Sequence, residues 1–131
     1  MSAQTLINTL ADTARAAGRT LSTATGAERK AALQTIAAAI EARSVEILAA
    51  NAKDMEAGRA AGLNSSLLDR LLLTPERIQG IAGGARQVSE LPDPLGNTLR
   101  KSTLPNGIKL EQISVPFGVI GMVYEARPNV T

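Results

Sequence analysis

The residues of this 131-residue chain best placed to do chemistry lie together near its end, in Glu125-Ala126-Arg127-Pro128-Asn129, after an apolar run from Gly118 to Tyr124. A carboxylate, a guanidinium and a carboxamide at a strand end combine charge with amide hydrogen bonding. The chain contains no cysteine and no histidine. That removes disulfides, thiolate nucleophiles, zinc sites of Cys/His type and any Ser-His or Cys-His relay. No metal site is expected. What remains is carboxylate, amine, guanidinium, hydroxyl and amide chemistry.

The element that must position this loop is the run before it. From Gly118 to Tyr124 no polar residue alternates with the apolar ones, the pattern of a strand buried on both faces. Such a strand needs parallel neighbours and covering helices joined by crossover connections. In open α/β sheets ligands bind beyond the carboxyl ends of the strands. Pro128 restricts Arg127 to extended backbone, and Asn129 is suited to cap a following helix. The sequence therefore reads as the front of a longer α/β protein, with one wall of a ligand site.

Fourteen basic and twelve acidic residues, a net charge of +2, are spread along the chain without blocks. A pI near 9.4 is then poor support for nucleic-acid binding, and one tyrosine and one phenylalanine offer little for stacking on bases. No apolar stretch reaches the length of a membrane span. Asp12 and the lack of an apolar h-region argue against targeting, so a cytoplasmic protein is the expectation.

Over residues 1–91 the spacing predicts helices. The first covers about Ala3 to Ala17, with Leu6, Leu10 and Ala14 on a thin face, and Gly18 closing it. It either packs across something else or frays as a terminus. Thr25-Gly26-Ala27-Glu28 is a capping box ahead of Leu33, Ile36, Ala37 and Ile40. Ser44 is suited to cap a third helix with the stripe Val45, Leu48, Ala49, Ala52 and Met55, and Gly58 and Gly62 end that section. Asn64-Ser65-Ser66 introduces Leu67, Leu68, Leu71 and Leu72. Thr74 and Pro75 open a last helix burying Ile78, Ile81, Ala82, Ala85 and Val88. Its Gly80, Gly83 and Gly84 imply either a close backbone approach or a merely weak helix.

Leu91-Pro92-Asp93-Pro94-Leu95-Gly96 is a turn-rich linker. Beyond it, Thr98 to Leu104 and Ile108 to Val115 flank Pro105-Asn106-Gly107, a hairpin signal. Ile108 and Leu110 share one parity, Ile113 and Val115 the other, so a bulge is expected near Glu111-Gln112. A two-stranded ribbon is marginal alone and needs another sheet or subunit to pair with. The expected organisation is a helical region over 1–91, a linker and hairpin acting as an oligomerisation arm over 92–115, and a core strand with ligand loop over 116–131. Gly118 and Gly121 both lie within the run, so they are not a dinucleotide fingerprint.

The segment P-F-G-V-I-G-M-V-Y-E-A-R-P-N-V-T, residues 116–131, resembles the signature of the gamma-glutamyl phosphate reductase (glutamate-5-semialdehyde dehydrogenase) family, within the aldehyde dehydrogenase superfamily. A-A-N-A-K-D-M at Ala49–Met55 and L-L-D-R-L-L-L-T-P-E-R-I at Leu67–Ile78 support the same family. The resemblance implies an N-terminal part of an enzyme of the α/β class, in which helices and a hairpin ribbon precede the first strand of a Rossmann-like parallel sheet.

It further implies NADPH-dependent reduction of L-glutamyl 5-phosphate to glutamate 5-semialdehyde, a step of proline biosynthesis, through a cysteine nucleophile. This chain has no cysteine, so the segment alone is expected to be inactive and to need a C-terminal catalytic domain. A homo-oligomer is expected for the full-length polypeptide. Carried over by residue type, Asn129 supports the oxyanion; an ungapped count puts Arg127 there instead, and both are candidates for substrate binding. Tyr124, Glu125 and Ala126 are candidates for the cofactor wall, with core packing the competing role for Tyr124. The reading from another class is a non-catalytic helical interaction module with a pairing ribbon.

Overall fold

The computed structural model describes residues 2–123. In chain order they form α1 (Ala3–Thr23), α2 (Gly26–Ala42), α3 (Ser44–Ala60), α4 (Ser65–Leu71), α5 (Pro75–Ser89), β1 (Thr98–Thr103) and β2 (Lys109–Ile113). Among the described residues two compact units separate, one of residues 30–91 with Met122 and Val123, the other of residues 2–29 with 92–121.

In the first unit, α3 packs on α4 and on α5, and Ala37, Met55, Ile78 and Ala82 form the buried apolar centre. The face of α3 that turns inward is rotated from the expected stripe. Val45 is 78% exposed, and the buried positions are Asn51, Met55 and Gly58. Asn51 explains the rotation. Its Nδ2 donates to the Leu71 carbonyl and its Oδ1 accepts from the Leu73 amide, both at 2.8 Å. One buried side chain thus satisfies a part-buried donor and a part-buried acceptor at the joint between α4 and α5, more than an aliphatic residue there offers.

Glycine has a packing role in α3, not in α5. A Cβ on Gly58 would lie 3.0 Å from Leu63 Cδ1 and 3.3 Å from the Cδ2 atoms of Leu68 and Leu71, whereas Gly80, Gly83 and Gly84 face open space among the described residues. The close approach expected at α5 therefore belongs to Gly58. At the end of α3 the Gly62 amide bonds to the Arg59 carbonyl and the Leu63 amide to the Gly58 carbonyl, both at 3.0 Å, with Gly62 at φ 75°. This is a Schellman closure, and the left-handed residue is the glycine.

The joint between α2 and α3 is a single residue. Arg43 keeps its amide on the Ala39 carbonyl while its own carbonyl accepts from Ile47, so the first helix hands over directly to the second. Ser44 accordingly lies inside α3 and does not cap it. Arg43 takes the cap position without a side-chain cap bond. The other predicted caps form: Asn64 Oδ1 accepts from the Leu67 amide at 3.0 Å and Thr74 Oγ1 from the Arg77 amide at 3.2 Å. Arg77 then donates to the Leu72 carbonyl at 2.7 Å and to Asp69 Oδ1 at 2.8 Å, tying α5 to the end of α4.

In the second unit, α1 runs through Gly18 to Thr23. One interior glycine costs roughly 1 kcal/mol, and Leu21 continues the apolar row beyond it. The capping box expected at Thr25 is present, with the Glu28 carboxylate accepting from the Thr25 amide at 2.7 Å and the Thr25 hydroxyl accepting from the Glu28 amide at 3.2 Å. Arg29 donates to the Ala24 carbonyl and to Asp93, so the linker is held at the first turn of α2.

Ser114 closes the base of the ribbon, its Oγ donating to the Pro94 carbonyl and accepting from the Asn97 amide. β1 and β2 pair antiparallel, with Ser102 opposite Leu110 and Lys101 opposite Glu111. The Gly107 amide bonds to the Leu104 carbonyl at 2.8 Å with Gly107 at φ 85°, as the Asn-Gly signal predicts. The irregularity in register falls between Thr98 and Arg100, opposite Gln112-Ile113, so it lies on the strand facing the expected Glu111-Gln112 segment and not within that segment. The extra residue is Leu99 on β1, and this also brings Ile113 into register with Thr98.

Candidate functional site

The ribbon leads through Val115, Pro116 and Phe117 toward the loop singled out from the sequence. Gly118 turns the chain with φ 84°, a left-handed conformation that the absence of a Cβ permits. Residues 114–123 carry neither helix nor strand, and Phe117 is 95% exposed. The strand expected from Gly118 is thus not formed over Gly118–Val123. A strand without polar alternation is stabilised by parallel neighbours on both edges, and among the described residues β1 and β2 pair only with each other. Tyr124, Glu125, Ala126, Arg127 and Asn129 lie outside the described residues.

The electrostatics of the described part are those of a scaffold. The Thr25 amide and hydroxyl hold the Glu28 carboxyl below its ordinary value. The Arg86 guanidinium does the same for Glu41, and the Lys30 ammonium for Glu90. Glu76 is lowered by its own amide and then by the Thr74 hydroxyl at the start of α5. Asp93 is lowered by the Leu95 amide and then by Arg29. Every one of these shifts stabilises the anion. A carboxylic acid that donates a proton near neutrality needs the opposite shift.

Two of these anions connect α2 to α5, through Lys30 Nζ to Glu90 Oε2 at 2.6 Å and Arg86 Nη1 to Glu41 Oε1 at 2.7 Å. Among the described residues no three His, Cys, Asp or Glu side chains gather to hold a metal, and no helix is long and apolar enough to cross a membrane. A shallow depression on the ribbon is lined by Lys101, Ser102, Thr103, Lys109, Leu110 and Glu111. Lys101 and Glu111 pair across it at 2.8 Å, leaving those two charges engaged with each other. No strand, glycine-rich turn and helix follow one another among the described residues, so none of them builds a phosphate cradle for a dinucleotide.

Two structural devices were not anticipated from the residues. Asn51 has a visible signal, a carboxamide on the buried face of an otherwise apolar stripe. The Gly26–Asp93 approach has none, because 67 positions separate the two residues along the chain. A Cβ on Gly26 would meet Asp93 Oδ2 and lie 3.2 Å from its Cγ.

Comparison with known proteins supplies the context for this scaffold. No protein-family model matches the chain. Among curated proteins it is 53% identical over 121 residues to a gamma-glutamyl phosphate reductase from Geobacillus thermodenitrificans, covering 92% of this chain and 29% of that protein. It is 60% identical over 104 residues to the one from Anoxybacillus flavithermus, covering 79% of this chain and 25% of that protein. Among solved structures, the gamma-glutamyl phosphate reductase of Thermotoga maritima matches with a TM-score of 0.86 and 38% identity over 92% of this chain and 29% of the other. The one from Saccharomyces cerevisiae matches with a TM-score of 0.74 and 33% identity, over 88% and 29%. The chain spans less than a third of the length of these relatives. In sequence and in fold it corresponds to an N-terminal part of them, and the resemblance read from the motifs is borne out.

Proposed function

We propose that this chain, which corresponds in sequence and fold to an N-terminal part of gamma-glutamyl phosphate reductases, is the N-terminal segment of an enzyme that reduces L-glutamyl 5-phosphate to glutamate 5-semialdehyde in cytoplasmic proline biosynthesis. The observation that carries this reading is 53% identity over 121 residues, together with the same backbone fold at a TM-score of 0.86. NADPH is the proposed hydride donor. The nucleophilic cysteine of the reaction is assigned to the rest of the polypeptide, because this chain has none.

The roles proposed within the chain belong to its last residues. Asn129 donates its side-chain amide to the developing oxyanion, and Arg127 holds the phosphate of the substrate through two parallel hydrogen bonds. Tyr124, Glu125 and Ala126 form the wall against the cofactor. The helical region over 1–91 acts as scaffold. The ribbon over 92–115 pairs with a second subunit, and its outer edges are unpaired among the described residues. Deleting the ribbon should then shift the full-length enzyme toward monomer in sedimentation.

The test of function uses two proteins, the 131-residue chain and a polypeptide in which it is joined to the remainder of the Geobacillus relative. NADPH-dependent reduction of glutamyl phosphate, or oxidation of the semialdehyde in reverse, should appear with the joined polypeptide and be absent from the chain alone. Turnover by the chain alone would overturn the assignment of the nucleophile. Inactivity of a folded joined polypeptide would overturn the functional reading.

A further inference from the structure

In the unit of residues 2–29 and 92–121, α1 carries Leu6, Ile7, Leu10 and Leu21 along one side at helical spacing, and each is half exposed or more. No residue of this 21-residue helix is buried. The nearest apolar neighbour at Gly18 is Val119, whose Cγ2 lies 3.9 Å from where a Cβ would stand. Phe117 and Ile120, in the same unit, are 95% and 70% exposed.

Helices in proteins derive most of their stability from packing an apolar face. An aliphatic row left uncovered on a folded chain marks an interaction surface. The row from Leu6 to Leu21 has no charged residue within it, since Asp12, Arg15 and Arg19 fall on the other side of the helix. An apolar surface is therefore the matching partner.

We propose that this face of α1 is the seat of the part of the reductase polypeptide lying outside the matched 29%. The inference rests on the functional reading above. The occupant is chosen because the same fold, at a TM-score of 0.86, is found as 29% of the Thermotoga chain, so there it is covalently joined to more than twice its own length of further polypeptide. Linkage of that kind presents the covering surface at high effective concentration.

Amide hydrogen exchange tests this in the same two proteins. α1 amides should exchange roughly tenfold or more slowly in the joined polypeptide than in the 131-residue chain. Leu10→Glu should remove that protection, while Arg19→Glu, nine positions along and so on the opposite side of α1, should leave it. Both variants should retain the parent's helical circular dichroism in the 131-residue chain, because Leu10 is 56% exposed there. Equal exchange of α1 in both proteins overturns the proposal, and so does protection insensitive to Leu10→Glu. Protection that appears in the chain alone as its concentration rises assigns the face to a second copy and overturns it too. Reductase activity of the joined polypeptide with unprotected α1 sinks this inference alone, whereas protected α1 without activity sinks only the functional reading.

Discussion

Asn51 and Leu73 are joined by a hydrogen bond of 2.8 Å from the Leu73 amide to the Asn51 side-chain oxygen, and the nitrogen of the same carboxamide holds the Leu71 carbonyl. The chain between α4 and α5 thus has its backbone hydrogen bonds completed by a side chain of α3. Removing that side chain leaves a donor and an acceptor without their partners in a part-buried place, at up to about 1–3 kcal/mol for each. Asn51→Ala should lower the denaturant midpoint accordingly. Asn51→Asp keeps the acceptor for Leu73 but sets a carboxylate oxygen against the Leu71 carbonyl, and should destabilise at neutral pH at least as much. A midpoint for Asn51→Asp equal to that of the parent would refute this account.

The glycines of α3 and α5 should respond to alanine with opposite signs. At Gly58 the added methyl meets three leucine side chains at 3.0–3.3 Å, so overpacking opposes the gain in helix propensity and Gly58→Ala should destabilise the 131-residue chain by about 1–3 kcal/mol. At Gly80 and Gly84 the space is open, and each alanine should stabilise by up to about 1 kcal/mol. Thermal unfolding of the single variants reads the signs directly.

Acid should weaken the scaffold in a defined window. Glu41 and Glu90 have folded pKa values lowered by Arg86 and Lys30 from an ordinary value of 4.5, so the unfolded state binds more protons than the folded state below that value. Their contribution is present above about pH 4.5 and is lost as pH falls through the lowered folded values. Unfolding midpoints measured down through this range should fall. Glu41→Gln should flatten the fall, since an amide does not titrate. An unchanged slope would show that the Glu41–Arg86 pair does not contribute in solution.

If the roles proposed for the last residues hold, Asn129→Ala in the proposed full-length reductase should reduce mainly turnover, because loss of one oxyanion donor typically costs about 2.7–4 kcal/mol in the transition state. Arg127→Ala should instead raise the Michaelis constant for the acyl phosphate, since a phosphate clamp acts in the ground state as well. If Arg127→Ala abolishes turnover at unchanged substrate affinity while Asn129→Ala is mild, the ungapped alignment is correct and the two roles exchange.

What the sequence alone determined is local. The Thr25–Glu28 box, the Asn64 and Thr74 caps and the Asn106-Gly107 turn are each complete within a few residues, so residue type and spacing suffice to specify them. The family resemblance was legible for a related reason, because it rests on contiguous motifs. Tertiary structure decided which face each helix buries. The inward face of α3 follows Asn51 because its two partners lie 20 and 22 residues away, and periodicity within one helix carries no information about distant carbonyls and amides. It also decided which glycine is needed for packing: Gly58 meets the leucines of the following loop and helix, while Gly80, Gly83 and Gly84 meet none. The apolar run from Gly118 is the converse case. Its composition specifies a buried strand, but a strand exists only with a ladder partner, and pairing is a property of other segments that the run itself cannot encode.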